Sequence, residues 1–369
     1  MGTSCAFHLA EAGVRGVVLL ERATLGSGST SKAVGGVRSS FSTRANIEIG
    51  KRSLEAYSRF PERPGQDIDL NRFGYLYLIS EPEEVAAFER SVELQNSLGV
   101  RSTMVEPAEA KRLSPLIETD GLLAAAWSPD DGEASPESVV LGYATAARAL
   151  GATIRTGIRA VGIEVDAGEI TAVRTDGGVI HTTAVICAAG AWSGEVGRMV
   201  DLDLPVTPYR RQVVMTEPLE GLPSQVPLTI DFPSLFYFHR QGPGLALGFS
   251  DREQAPGFYL DYEPDEWLPK LFAVAERRAP SLLDVGLTTG WAGLYEVTPD
   301  HNQIIGEAPE PSRFLYATGF SGHGFLMGPA VGEIIRDLYL SRKPFIDIDE
   351  FDVRRFWDSS AGAREHNII

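Results

Sequence analysis

A short amphipathic helix running into a short, wholly apolar strand constrains this chain more than any other feature. Phe7, Leu9 and Ala10 form an apolar patch over residues 3–12, and Gly13 stands where a glycine after a helix belongs. Val17-Val18-Leu19-Leu20 then reads as a strand buried on both faces, ending in Glu21. Strands of that kind belong to parallel sheets covered by helices, so helix-then-strand is the second half of a βαβ unit. The strand that opens the unit would lie upstream of Met1. The expectation is an α/β, doubly wound domain lacking its first strand, with the true start of the protein further upstream. Strand edges left open by such a loss would invite aggregation.

Further along, a polar loop rich in glycine and serine, residues 26–38, is too long for a simple connection and reads as a segment that wraps a ligand. A helix is expected near 47–60 and a boundary at 61–65. Tyr75-Leu76-Tyr77-Leu78-Ile79 reads as strand, and Val85, Phe88 and Val92 fall at helical spacing. Ser135-Pro136-Glu137 has the form of an N-cap, an N1 proline and an acidic first turn, for a helix running to Gly151. Strands are expected near 153–155, 163–165 and 184–188, with a hairpin turn at Asp176-Gly177-Gly178. Between 205 and 297 the pattern is of strands joined by polar turns, a mainly antiparallel sheet. Residues 314–317 read as strand, 319–328 as loop, and Val331, Ile334, Ile335 and Leu338 as the buried stripe of a closing helix. The stretch after Trp357 reads as frayed. The resulting organisation is one domain from 1–69, 132–200 and 299–345, a second from 70–131 and 201–298, and a tail from 346–369.

Composition narrows the partner. Fifty acidic against 33 basic residues give a net charge of −17, which opposes the phosphate attraction that drives nucleic-acid binding and disfavours an anionic membrane surface. No apolar run nears the ~20 residues of a spanning helix, and the N-terminus has no basic stretch or apolar core of a secretory signal. The two cysteines, Cys5 and Cys187, have no disulfide or zinc spacing, and the six histidines show no metal-ligand pattern. A cytoplasmic protein acting on a small molecule, without metal and compatible with an oligomer, is the expectation.

A dinucleotide fold needs glycines at its first strand-to-helix turn and an acid about 20 residues on for the ribose hydroxyls. Here Gly2 can be the last of those glycines and Glu21, nineteen residues later, the acid. An ordinary surface helix with a strand-end glutamate explains the same residues. No complete glycine fingerprint or phosphate loop occurs elsewhere. Two other segments decide the matter: Val185-Ile186-Cys187-Ala188-Ala189-Gly190-Ala191-Trp192-Ser193, and Thr318-Gly319-Phe320-Ser321-Gly322-His323-Gly324-Phe325. With residues 26–38 they stand in an order that resembles the FAD-dependent D-amino-acid oxidase superfamily, in the branch of sarcosine oxidases, dimethylglycine dehydrogenase and glycine oxidase. The resemblance spans residues 2–340.

That resemblance implies non-covalent FAD in a Rossmann-like domain beside a substrate domain. It places Gly2, Glu21 and Arg22 toward the adenosine, and Gly28, Ser29, Thr30, Lys32 and Gly36 along the phosphates and flavin. It also brings Ala189, Gly190 and Trp192 past the cofactor and turns Gly322, His323, Gly324, Phe325 and Leu326 toward the isoalloxazine. Backbone amides and a helix N-terminus there would stabilise negative charge on reduced flavin. Arg38 matches an arginine near the substrate carboxylate, a role its fork suits, although a surface arginine fits equally. Tyr295 matches an active-site tyrosine or a core aromatic, and His323 a catalytic or a structural histidine. Asp300 reads as a turn cap.

Departures from the family pattern also inform. Ala246 stands where monomeric sarcosine oxidases carry an oxygen-activating lysine, Leu326 where a second carboxylate-binding lysine follows, and Gly293 where a cysteine holds covalent flavin. The implied function is oxidation of the C–N bond of a small, secondary or N-methylated amino acid by hydride transfer to flavin N5, with an acceptor other than oxygen preferred. A 2-hydroxy-acid or polyol-phosphate dehydrogenase, for which Arg210-Arg211 and Arg277-Arg278 are the adjacent bases, and a non-catalytic flavin-binding assembly factor are the alternatives.

Overall fold

The computed structural model describes residues 1–357 and 364–367. The helix Gly2–Glu11 ends where Gly13 turns to φ +85° with its N–H on Ala10 O, a conformation that favours glycine. The strand Val18–Glu21 follows and pairs in parallel with Thr153–Thr156, which is reached from the helix Pro136–Ala149. Ser135 caps that helix, its Oγ accepting from Ser138 N–H at 3.2 Å. A second parallel pair joins Val185–Cys187 to Phe314–Thr318, with Ile304–Glu307 antiparallel on the far side. The helices Gly2–Glu11, Arg44–Ser58 and Gly324–Tyr339 close this layer over a core containing Phe7, Ile47, Leu315 and Ile334.

The α/β class is therefore as expected, and the parallel layer is split. Val18–Glu21 and Val185–Cys187 are each the last strand of a separate sheet. Gly2 sits between them, its Cβ position 3.6 Å from Leu19 Cδ1 and 4.0 Å from Ala188 Cβ.

An eight-stranded sheet forms the other half. Its spatial order is Leu287–Val297, Thr207–Thr216, Gly244–Phe249, Phe236–Gln241, Leu228–Asp231, Tyr75–Ile79, Ala124–Ser128, Thr103–Val105. Every neighbouring pair is antiparallel except Leu228–Asp231 with Tyr75–Ile79. Period-two alternation sends Leu76, Leu78, Phe236, Phe238, Leu245 and Leu247 under the helix Pro264–Arg278, and Tyr75, Tyr77 and Tyr237 to the opposite face. Among the described residues, no helix is long and apolar enough to cross a membrane.

Two expectations are corrected. Residues 319–328 are not all loop: the closing helix starts at Gly324 and carries Pro329 inside it. Proline lacks the N–H that would bond the carbonyl four residues back, and Tyr57 Oη donates to that carbonyl, Phe325 O, at 2.6 Å. Ser4 Oγ donates to Gly328 O and Ser53 Oγ accepts from Ala330 N–H, so the first turns are held by side chains of neighbouring helices. Nor is the tail frayed over residues 364–367. Glu365, fully buried, accepts from Ser42 N–H and Oγ and from Asn46 Nδ2 at 2.7–2.9 Å. The rest of the tail beyond Trp357 lies outside the described residues.

The first helix also sets a pH dependence. His8 is 1% exposed and bonded to Ser4 O at 2.8 Å, and burial pushes its pKa down to about 4. It is neutral when folded but protonates near 6.5 when unfolded, so the stability it contributes above pH 6.5 is lost as pH falls toward 4. At 1.36 kcal/mol per unit this is about 3 kcal/mol. Urea melts between pH 7 and 4 are expected to show that much less acid loss in His8→Gln than in the wild type.

Candidate functional site

A cavity of 1520 Å³ runs between the split parallel layer and the eight-stranded sheet. That exceeds the ~300–1,000 Å³ of ordinary ligand pockets. Gly2, Glu21, Arg22, Gly28, Ser29, Thr30, Lys32, Gly36, Ala189, Gly190, Trp192 and the run 322–326 all line it, together with Arg38 and Tyr295. Its walls include the edges 17–21 and 182–189 of the split layer. The N-terminal turns of the helices Gly2–Glu11 and Gly324–Tyr339 both open on it, which presents two positive helix ends to one space.

At one end Glu21 closes the strand, its Oε1 accepting from Ala23 N–H at 2.8 Å. Arg22 lies over the Trp192 ring at 3.9 Å, and Trp192 stacks on Phe258 with centroids 5.5 Å apart. The glycine–serine loop is pinned rather than free. Ser29 Oγ donates to Leu294 O at 2.7 Å and Lys32 O accepts from Trp291 Nε1 at 3.0 Å, both on the strand Leu287–Val297. The Ser29 hydroxyl proton is therefore directed at the sheet, and only its oxygen lone pairs and the loop's amides are left for an anion.

At the other end Arg38, Tyr75, Tyr237, Tyr295, His323 and Arg211 line the wall. Burial raises the pKa of all three tyrosines above the ordinary phenol range, so each keeps its proton as a donor. The Tyr295 ring lies on Gly322, which has φ +100°. His323, 2% exposed, is pushed well below its usual pKa by burial and then by the Arg38 charge. Its Nε2–H donates to Gln303 Oε1 at 3.1 Å, and Gln303 Nε2 donates to Asn46 Oδ1 at 2.8 Å, which fixes the ring and leaves Nδ1 a buried acceptor without a partner. This is a neutral, oriented histidine, as a structural role requires.

Arg38 is less available than the sequence implies. It is 4% exposed, stacks on Phe41 at 3.8 Å, and gives Nη1 to Ser40 O and Nη2 to Asn367 O. Asp300 does close a turn, accepting from Asn302 N–H, and it also pairs with Arg355 at 2.7 Å. Ala246, expected beside the flavin, is 1% exposed and lies outside the cavity lining. Gly293 does line the cavity, and a Cβ there would stand 2.6 Å from Lys32 Cβ. A side chain able to carry a covalent flavin therefore has no room without moving the loop.

Sequence reasoning missed Tyr75, Tyr237, Glu296 and the orientation of Arg211. Glu296 takes a hydrogen bond from Thr318 Oγ1 at 3.0 Å and has its pKa raised by burial, while lining the same cavity. Alternation along the strand containing Arg210-Arg211 was the readable signal for one of them: only one of two adjacent side chains can face inward.

The comparisons agree with this geometry. The chain matches the family described as FAD dependent oxidoreductase over residues 1–338, and it belongs to that family. It is 30% identical over 376 residues to mitochondrial sarcosine dehydrogenase of Mus musculus, across 97% of this chain and 40% of that protein. It is 28% identical over 398 residues to mitochondrial dimethylglycine dehydrogenase of Rattus norvegicus, across 100% of this chain and 46% of that protein. The chain thus spans less than half the length of these two relatives. The crystal structure of L-proline dehydrogenase from P. horikoshii matches with TM-score 0.89 at 32% identity, covering 96% of this chain and 94% of that one. The site fits FAD on its own chemistry: a cavity of dinucleotide size, two helix N-termini for anionic groups, an acid at the strand end, and the unpartnered His323 Nδ1 near the Gly322–Gly324 backbone.

Proposed function

We propose that this chain oxidises the C–N bond of a small secondary or N-methylated amino acid. One observation carries the reading: a single cavity joins Glu21, the glycine–serine loop, the 322–326 turn and the tyrosine–arginine wall. The compounds named for its relatives, sarcosine, dimethylglycine and L-proline, share a secondary or tertiary amine beside a carboxylate. FAD, when bound, supplies the hydride acceptor.

In this reading Glu21 takes the ribose hydroxyls, and the amides around Gly28–Thr30 and the first helix N-terminus take the phosphates. The amides of 322–326 and the closing helix N-terminus face the ring. Gly190 and Trp192 bound the middle of the cavity, and Gly293 leaves FAD non-covalent. The cations Arg38 and Arg211 on the cavity wall disfavour a substrate ammonium and so favour the neutral nitrogen that C–H cleavage needs. Neutral His323 cannot add a positive charge. Tyr295 donates its O–H and helps to orient the substrate, so positioning and electrostatics carry the step without a dedicated base. Alanine at position 246, where the resemblance implies an oxygen-activating lysine, supports an acceptor of another kind. Two buried, free cysteines support a reducing, cytoplasmic setting.

The polyol-phosphate alternative needs clustered bases, and the adjacent pairs do not supply them. Arg210 turns away to Glu263, and Arg278 is tied to Asp231. Anaerobic mixing of flavin-loaded protein with N-methyl, cyclic and D-amino acids is expected to bleach the flavin's visible absorbance with sarcosine- or proline-like compounds. No bleaching by any member would overturn the reading and favour a flavin-holding assembly role.

A further inference from the structure

The strand Thr207–Thr216 pairs antiparallel with Leu287–Val297, setting Tyr209 opposite Tyr295 and Arg211 opposite Gly293. Its alternation separates the two adjacent arginines. Arg210 points out, giving Nη2 to Glu263 at 2.8 Å and Nε to Gln254 at 3.2 Å. Arg211 points into the cavity. There Gly293 offers no side chain to cover it, and the rings of Tyr295 and Tyr209 have centroids 5.1 and 5.8 Å from its guanidinium carbon.

The electrostatic state of Arg211 is unusual. Among the described residues no carboxylate lies within ion-pairing distance of it. Nη1 donates to Arg210 O at 2.9 Å, while Nε is buried and has no hydrogen-bond partner. With Nε covered and unpartnered, the Nε–Nη2 edge of this half-buried guanidinium is an incomplete interaction, because charges withdrawn from water in proteins are paired. That edge is the one that takes a carboxylate side-on with two parallel N–H···O bonds. Among the described residues Arg38 also has no carboxylate partner, but its two terminal nitrogens already serve Ser40 O and Asn367 O.

We propose that Arg211, rather than Arg38, binds the substrate's carboxylate, through its Nε–Nη2 edge against the Tyr295 ring, and so selects amino acids over simple amines. This rests on the amino-acid reading above. Arg38 is then a positioning residue that ties residues 38–40 to the chain segment at Asn367.

The test uses flavin-loaded protein and a probe that cannot be oxidised at nitrogen, tetrahydrofuran-2-carboxylate, titrated by its perturbation of the flavin visible spectrum. Its uncharged amide is the control. Arg211→Met is expected to weaken the acid by about 100-fold or more, the scale of a lost desolvated charge pair, and to leave the amide within about 3-fold. Arg211→Lys, which keeps the charge without the fork and guards against misfolding of the first variant, is expected to lose about 10-fold. With an oxidisable substrate KM should rise accordingly while kcat at saturation changes much less. Wild-type affinity for the acid in both Arg211 variants, or equal losses for acid and amide, would overturn the assignment. So would a 100-fold loss confined to Arg38→Met. Because the titration needs no turnover, it reads Arg211 even if no amine reduces the flavin, which would sink only the activity.

Discussion

Gly322→Ala is expected to lose both stability and flavin reduction. Gly322 has φ +100°, and a Cβ added there would stand 2.3 Å from Tyr295 Cε2 and 2.6 Å from Cζ. Backbone strain at such a φ is of order 1–3 kcal/mol, and overpacking a filled site adds typically 1–3 kcal/mol, giving roughly 2–6 kcal/mol together. The ring has little room to retreat, because Tyr295 lies in the strand Leu287–Val297 with Arg211 on its face. Relief must therefore come from moving the 321–324 turn, the tyrosine or both. A displacement of about 1 Å at a positioning group costs on the order of 100-fold in rate. The matched control is Gly151→Ala, where φ is +94° and nothing lies within 4 Å of the added carbon. It isolates the strain and leaves the site alone. Chemical denaturation and anaerobic flavin reduction measured on both variants decide the matter. Equal, small losses in the two would show that the Gly322–Tyr295 contact yields freely.

Much of this site is legible in the sequence because its parts are backbone parts. Glycines at 36, 190 and 322 mark places where main chain must turn or approach closely, and those constraints are written in residue type. The helix–strand start and the antiparallel second sheet follow from hydrophobic period in the same way. Side-chain direction is harder to read. Arg210 and Arg211 are adjacent and identical in type, and only the register against Leu287–Val297 shows which one faces the cavity. Glu296 follows Tyr295 directly, yet its hydrogen-bond donor, Thr318, stands on another strand.

Two features were illegible for a different reason, that a distant partner reverses a local rule. Pro329 argues against a helix at 324–329, and Tyr57 Oη supplies the missing donor from another helix. The polar segment 364–367 has the composition of a loose end, and Ser42, Asn46 and Arg38 hold it. In both cases the decisive bond spans more than 260 residues of chain.

Arg355→Met is expected to destabilise the protein by about 3–5 kcal/mol, the usual result of removing one partner of a buried ion pair, and to disturb a site it does not line. Its Nε meets Asp300 Oδ2 at 2.7 Å, with side chains only 6% and 4% exposed. The same guanidinium donates to Asn302 O and Gln303 O at 3.1 Å. Gln303 in turn holds His323 through its side chain. Losing Arg355 leaves the Asp300 carboxylate buried without its cation and removes a donor from Gln303 O and from Asn302 O, which still accepts from Thr298 Oγ1, so the 300–303 turn must loosen or take in water. The double variant Arg355→Met/Asp300→Leu separates these effects. Replacing both charges by apolar groups should recover much of the stability, since a buried pair gains little over a hydrophobic one. It should not recover the carbonyl contacts that steady Gln303. The expected pattern is a large loss of stability in the single variant, a smaller one in the double, and flavin reduction slowed in both. Full recovery of reduction in the double variant would show that the orphaned carboxylate, and not the Arg355–Gln303–His323 connection, was the cause.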